Sequence, residues 1–254
     1  MSDPICLGAL ASLLAGSATA LGSVPVLFGR NIPDRWRDSL LGVAAGVMLA
    51  ATFFSLIQPS VVLVEERYGG RGAAATVVAG GLIAGVLLVW LLEKALANAY
   101  RWNGAKAPID SVWIFVLAVT LHNVPEGLAV GVGFGEGDVA RGTTIAIGIG
   151  LQNMPEGLAV ALALAAHNYS RWKAFVVASL TGLIEAPAGL LGAAAVALSQ
   201  PLLPWALALA AGAMLFVIVQ ELIPESYRHG YRDEATLGLV AGFVVMLMLD
   251  VAFS

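Results

Sequence analysis

Residues 108–135 read PIDSVWIFVLAVTLHNVPEGLAVGVGFG, an apolar run interrupted near its middle by His122, Asn123, Pro125 and Glu126. A bilayer core takes about 20 mainly apolar residues per helix, and this run exceeds that length. In lipid each backbone N–H and C=O must be satisfied within its own segment. The alternation of a barrel strand is absent, so the run is predicted to be a transmembrane helix. A charged side chain near the middle of such a helix costs about 2.5–3.5 kcal/mol on translocon scales. Something must offset that cost at Glu126.

The rest of the chain has the same character. Its 254 residues are 59% apolar with a mean hydropathy of +0.87, and 12% are Asp, Glu, Lys or Arg, against roughly 25% in soluble domains. Eight spans are predicted, at 5–28, 38–63, 72–98, 108–135, 139–166, 172–198, 202–223 and 235–253. No Ser-rich, Pro-rich or highly charged linker separates them, so residues 1–254 read as one integral membrane domain of the all-α class. Met1 to Pro4 carries an acid rather than a basic n-region, and the run behind it is long enough to span, which argues against a cleaved signal peptide. Cys6 is the only cysteine, which leaves no intrachain disulfide and no Cys-rich metal site. A net charge of -4 without a basic cluster gives no footing for nucleic acid.

Ten of the 13 basic residues fall on one side of the membrane. They are Arg30, Arg35 and Arg37 after span one, Lys94, Arg101 and Lys106 around the end of span three, Arg171 and Lys173 after span five, and Arg228 and Arg232 after span seven. Arg67, Arg71 and Arg141 fall on the other. The positive-inside rule makes the ten-charge side cytoplasmic and puts both termini outside, as in a bacterial inner-membrane protein.

The motif at 121–130 is repeated. Leu151-Gln152-Asn153-Met154-Pro155-Glu156-Gly157-Leu158-Ala159-Val160 lies in the middle of span five. His122 and Glu126 are four residues apart, as are Gln152 and Glu156, so each pair projects from one helix face. Asn123 and Asn153 stand three residues before the same glutamates. Antiparallel neighbours bring such faces together at one depth, where imidazole, carboxylate and amide oxygens suit zinc or iron. Pro125 and Pro155 each free the carbonyl four residues earlier, so kinked half-helices are expected, with Gly127 and Gly157 adding freedom and room beside the carboxylates. Span six adds Glu185, with Pro187 two residues later. Met48 in span two offers a thioether for a softer ion, and Ser55 lies on the same helix. Glu221 and Glu225 fall near the cytoplasmic mouth and Asp250 near the outer one, as way stations for a cation. His167 and His229 sit in loops and are expected to be solvated. A purely structural polar cluster is a poor account of the repeat, because apolar packing would serve as well or better.

At these residues the chain resembles the ZIP (Zrt- and Irt-like) family of metal transporters, in its GufA-like branch, over essentially its whole length. The resemblance implies an eight-helix bundle, outside termini and a homodimer. It aligns His122, Asn123, Glu126, Gln152, Asn153, Glu156 and Glu185 with the transport-site ligands, Met48 with the additional ligand of this branch, and Ser55 and Asp250 with the access path. It further implies that spans one, four, five and six slide as a bundle against the other four. Zn2+ is the expected cargo, with Cd2+, Fe2+ and Mn2+ as further candidates. Gln152 stands where many relatives carry a second histidine. The stretch from about Lys94 to Pro108 lacks the His-rich tract of longer members, which argues against metal sensing there. An intramembrane metal-dependent hydrolase is the alternative, although zincin chemistry wants two histidines at i and i+4, and the residue four after His122 is Glu126. A cation channel lined by the same carboxylates is a third reading.

Overall fold

A computed structural model describes residues 3–29, 33–102, 111–135 and 137–253. It contains eight helices long and apolar enough to cross a membrane. They are Pro4–Phe28, Asp34–Arg67, Arg71–Trp102, Ser111–Phe134, Val139–Ala166, Arg171–Leu198, Leu203–Ser226 and Arg232–Phe253, numbered here as spans one to eight. The predicted bounds agree to within a few residues, and span five matches at both ends. Span two is longer than predicted because its polar ends stay helical from Asp34 to Arg67, just short of Gly69, whose φ of 64° ends the helix. Spans one and five start on side-chain caps, with Asp3 accepting from the Ile5 N–H and Asp138 from the Arg141 N–H, each at 3.0 Å.

The prolines shape the spans in three ways. Spans four and five run as continuous α-helices through Pro125 and Pro155, so neither is divided in two. In span six the ring of Pro187 would crowd the carbonyl of Leu183, four residues earlier. The helix stops at Gly182 and restarts at Glu185, which places that glutamate in the first turn of a new helix. In spans two and seven the turns before Pro59 and Pro224 widen into π-helix, over Ala51–Ile57 and Ile218–Leu222. Such wide turns often mark functional positions, and here they carry Ser55 and Glu221.

Glycines gather spans one, four, five and six into one set and pair the other four, which Ser60 of span two joins into a second set by donating to the Pro204 carbonyl of span seven at 2.7 Å. Gly16 meets Gly182, Gly22 meets Met154, Gly127 meets Glu185 and Gly131 meets Gly189, joining spans one, four, five and six. Gly42 and Gly46 meet Ala235 and Leu239, and Gly85 and Gly212 bring span three against span seven, joining spans two, three, seven and eight in pairs. Wherever an added Cβ would come within 3.0 Å of another span's backbone, both spans belong to the same set. Such approaches gain van der Waals contact where lipid offers no hydrophobic drive. Between the sets the fit is made by side chains: the Met246 sulfur lies over Gly148, and Met48, Val130, Ile149 and Met214 share one apolar core.

The expectation that His229 is solvated is corrected. Its Nδ1 lies 2.8 Å from Oδ1 of Asp38, which is fully buried and also accepts from the Tyr231 N–H at 3.3 Å. A carboxylate that close to the first turns of span two needs partners once packing covers it, and the turn before span eight supplies them. His167 is exposed, as expected.

Candidate metal-transport site

The repeated motifs meet in the middle of the first set. Span five supplies two adjacent amides that point to different neighbours. Gln152 donates from Nε2 to Glu126 Oε1 of span four at 2.7 Å. Asn153 donates from Nδ2 to Glu185 Oε1 of span six at 2.6 Å and to the Ala15 carbonyl of span one at 2.9 Å. Four helices are thus pinned at one level. His122, Asn123, Glu126, Gln152, Asn153, Glu156 and Glu185 are all buried, none more than 4% exposed.

Hydrogen-bond donors and acceptors are unevenly matched at this level. Glu126 Oε2, Gln152 Oε1, Asn153 Oδ1, Asn123 Oδ1, Glu185 Oε2 and both oxygens of Glu156 are buried without a hydrogen bond to the described protein atoms. Buried polar atoms are normally paired, and an orphan costs about 1–3 kcal/mol, more when charged. Seven orphaned oxygens, four of them on three carboxylates and three on amides of the same spans, are acceptors that a cation could satisfy, because it takes lone pairs and supplies positive charge together. With imidazole beside them, the set fits a borderline metal such as zinc. Glu156 stands out because neither of its oxygens has a protein partner.

His122 also reaches across to the other set of spans. Its Nε2 lies 3.6 Å from Glu93 Oε1 of span three. Together with Glu221 of span seven these residues bring ligand atoms within 4.8 Å of one another. Among the described residues no other trio of His, Cys, Asp or Glu is gathered so closely. Sequence reading missed Glu93. The available signal was a lone acid in the otherwise apolar run of span three.

The remaining candidates lie along two approaches. Ser55 donates to Asp250 Oδ1 at 2.9 Å inside a cleft of about 410 Å3 that also contains Glu66, Asp138 and Arg141. At the other end His122, Glu156, Glu221 and Glu225 line one cavity of about 20 Å3, room for about one water-sized particle. Glu225 also holds Arg228 at 3.1 Å. Met48 is fully buried in the apolar core, one helical stretch before Ser55. Lys106 lies outside the described residues.

The two sets divide the chemistry as well. Every buried ligand candidate of the repeat and of span six belongs to spans four, five and six. Glu93, Ser55, Glu221, Glu225, Asp250 and Met48 belong to spans two, three, seven and eight.

Comparison with known proteins bears on the family. The profile described as "ZIP Zinc transporter" matches residues 105–250. The chain is 47% identical over 251 residues to "Zinc transporter GufA" of Myxococcus xanthus, covering 96% of this chain and 98% of that protein. It is 44% identical over 253 residues to "Zinc transporter ZIPB" of Bordetella bronchiseptica, covering 93% of this chain and 78% of the relative. Against "Zinc transporter ZIP11" of Homo sapiens it is 34% identical over 328 residues, covering 95% and 96% of the two chains. A multi-pass helical membrane protein that carries the repeated Asn-x-Pro-Glu-Gly motif, and that matches these relatives nearly end to end, belongs to the ZIP zinc transporter family and is not an enzyme.

Proposed function

We propose that the protein moves divalent transition-metal ions, zinc foremost, across the membrane toward the Arg-rich side, which the charge bias makes the cytoplasm. The observation that carries this reading is the group of seven buried acceptor oxygens without protein partners. The relatives named as zinc transporters support zinc as cargo, and the mixed oxygen and imidazole donors extend the proposal to Cd2+, Fe2+ and Mn2+.

An ion enters by the cleft at Ser55 and Asp250, binds among Glu126, Gln152, Asn153, Glu156, Glu185 and Asn123 with Met48 nearby, and leaves by His122, Glu93, Glu221 and Glu225. Ligands carried on one set of spans and mouths on the other support an elevator-like motion. Sliding of spans one, four, five and six would present the same ligands first to one mouth and then to the other, while each set keeps its own glycine contacts intact. The bacterial inner membrane, outside termini and a homodimer complete the proposal. The hydrolase alternative gains no support from the relatives.

Zinc flux into liposomes containing the purified protein, followed with an internal zinc dye, tests the reading. Saturable uptake that Cd2+ competes for is expected, and a protein that binds zinc but moves none would overturn it. The release step has its own test. Glu93→Gln keeps the shape of the side chain but removes the charge beside His122. Groups just outside the ligands of a metal are worth roughly 10–100-fold in metal affinity or activity. Zinc flux should fall within that range while zinc still raises the melting temperature, and an unchanged flux would remove Glu93 from the path.

Orientation is tested by labelling. With the exposed Cys6 replaced, a cysteine at Asp138 should react with an impermeant thiol reagent from outside and one at Lys106 should not. The opposite pattern would reverse the proposed mouths.

A further inference from the structure

A second large cavity has no part in the metal path. It is a groove of about 480 Å3 between spans one and five on one wall and spans two and eight on the other. Leu21, Val43, Met154, Leu158 and Val245 line it, with almost no polar surface, and Leu21 and Val245 form an open rim, 66% and 46% exposed. That volume lies within the roughly 300–1,000 Å3 of small-molecule sites. Leu40, Pro155 and Leu158 also line a narrow adjoining cavity, which ends at Arg37 on the Arg-rich side.

Arg37 gives the groove a charge at one end. Its Nη1 holds Asp34 Oδ1 at 3.2 Å, but its Nε is buried and has no hydrogen-bond partner among the described residues. A guanidinium has five N–H donors, so one carboxylate leaves it able to bind a second anion. Arg35 is placed differently, with its Nε 3.0 Å from Glu234 Oε1.

We propose that this groove binds one anionic phospholipid of the leaflet on the Arg-rich side, its acyl chain lying between the two sets of spans and its phosphate at Arg37. The apolar wall calls for a hydrocarbon chain, the open rim faces the bilayer, and the guanidinium at the closed end calls for an anion. A phospholipid carries both in that order. The bound chain touches span five, which carries Glu156, and spans two and eight of the opposite set. The site is independent of which ion the protein carries.

Native mass spectrometry of the detergent-purified protein, with phosphatidylglycerol and phosphatidylcholine added at equal concentration, tests the proposal. The wild type should retain one phosphatidylglycerol in preference to phosphatidylcholine. Arg37→Gln should lose about fivefold of that preference, the worth of one basic side chain at a membrane surface, and Arg35→Gln should not. Val245→Trp, on the open rim where folding is not at stake, should expel both lipids while the melting temperature holds. Equal retention of both lipids by the wild type, undiminished retention in Val245→Trp, or a change of oligomeric state in Val245→Trp without lipid loss would overturn the proposal.

Discussion

Glu156→Ala should abolish saturable zinc uptake and leave a folded protein. Both carboxylate oxygens of Glu156 are buried and neither is hydrogen-bonded within the described protein, so no local structure depends on them. Removing a buried, unpartnered carboxylate relieves a desolvation cost and leaves a small cavity, two effects of opposite sign. The apo melting temperature should therefore stay within a few degrees of wild type. Zinc binding should tell the two proteins apart. A ligand at about 100 times its Kd adds roughly 2.7 kcal/mol to the folded state, which in a chain of this size is a rise of several degrees. Wild type should show that rise and Glu156→Ala should not. Uptake at the wild-type rate in the well-folded variant would defeat the assignment. Leu158→Ala, an apolar change two residues further along the helix, should leave uptake largely intact.

Gly157→Ala should damage the fold itself. A Cβ at position 157 would strike the backbone carbonyl of Thr19, with the carbonyl carbon at 2.8 Å and the Thr19 Cγ2 at 2.9 Å. Backbone cannot swing aside as a side chain can, so spans one and five must separate, at an overpacking cost of about 1–3 kcal/mol or more. The same helix provides a control. At Gly150 an added methyl would meet Ala15 Cα at 3.7 Å and Ala18 Cβ at 3.9 Å, which is ordinary contact. Gly150→Ala should keep or raise the melting temperature, since Ala favours helix over Gly by about 1 kcal/mol. Gly157→Ala should lower it by several degrees or fail to yield monodisperse protein. Equal melting temperatures for the two variants would show that the close approach of spans one and five contributes little.

That contrast also shows how far sequence could go. The sequence reading gave Gly157 and Gly127 the task of loosening the helix beside the carboxylates. In the fold both are points of close approach, to Thr19 and to Glu185. A one-dimensional pattern marks a glycine but not the partner that needs it, because the partner comes from a distant span. Hydropathy located the spans well, since length and apolarity are local properties. The repeat at His122 and Gln152 was legible for a related reason: spacing of three and four fixes which residues share a helix face. The direction in which that face turns is set by packing, and it was not legible. His122 lies beside Glu93 and Glu221, two acids on distant spans that spacing within span four does not announce. The wide turns before Pro59 and Pro224 were within reach, because each proline announces a lost hydrogen bond four residues earlier. What the backbone would do about the loss was not, as the helices run on through Pro125 and Pro155 but break before Pro187. Asp38 read as the polar edge of a span, and its burial against His229 depends on how the turn before span eight folds back.

The division of labour between the two sets has a consequence for any variant series. On the proposed path, changes at Glu126, Glu156 or Glu185 should alter what is carried, whereas changes at Ser55, Glu93, Glu221 or Asp250 should alter how the ion reaches or leaves the carrier. Affinity and rate should therefore separate cleanly between the two groups of positions.

The claim at the centre of this account is that metal binds in the mid-membrane set formed by the two repeated motifs. Anomalous diffraction at the zinc absorption edge, from crystals grown with zinc, tests it most directly. A peak is expected within about 2.0–2.2 Å of carboxylate oxygens of Glu126 and Glu156, the usual zinc–oxygen distance, and it should disappear in Glu156→Ala. A peak confined to Glu93, His122 and Glu221, with none at Glu126 and Glu156, would contradict it.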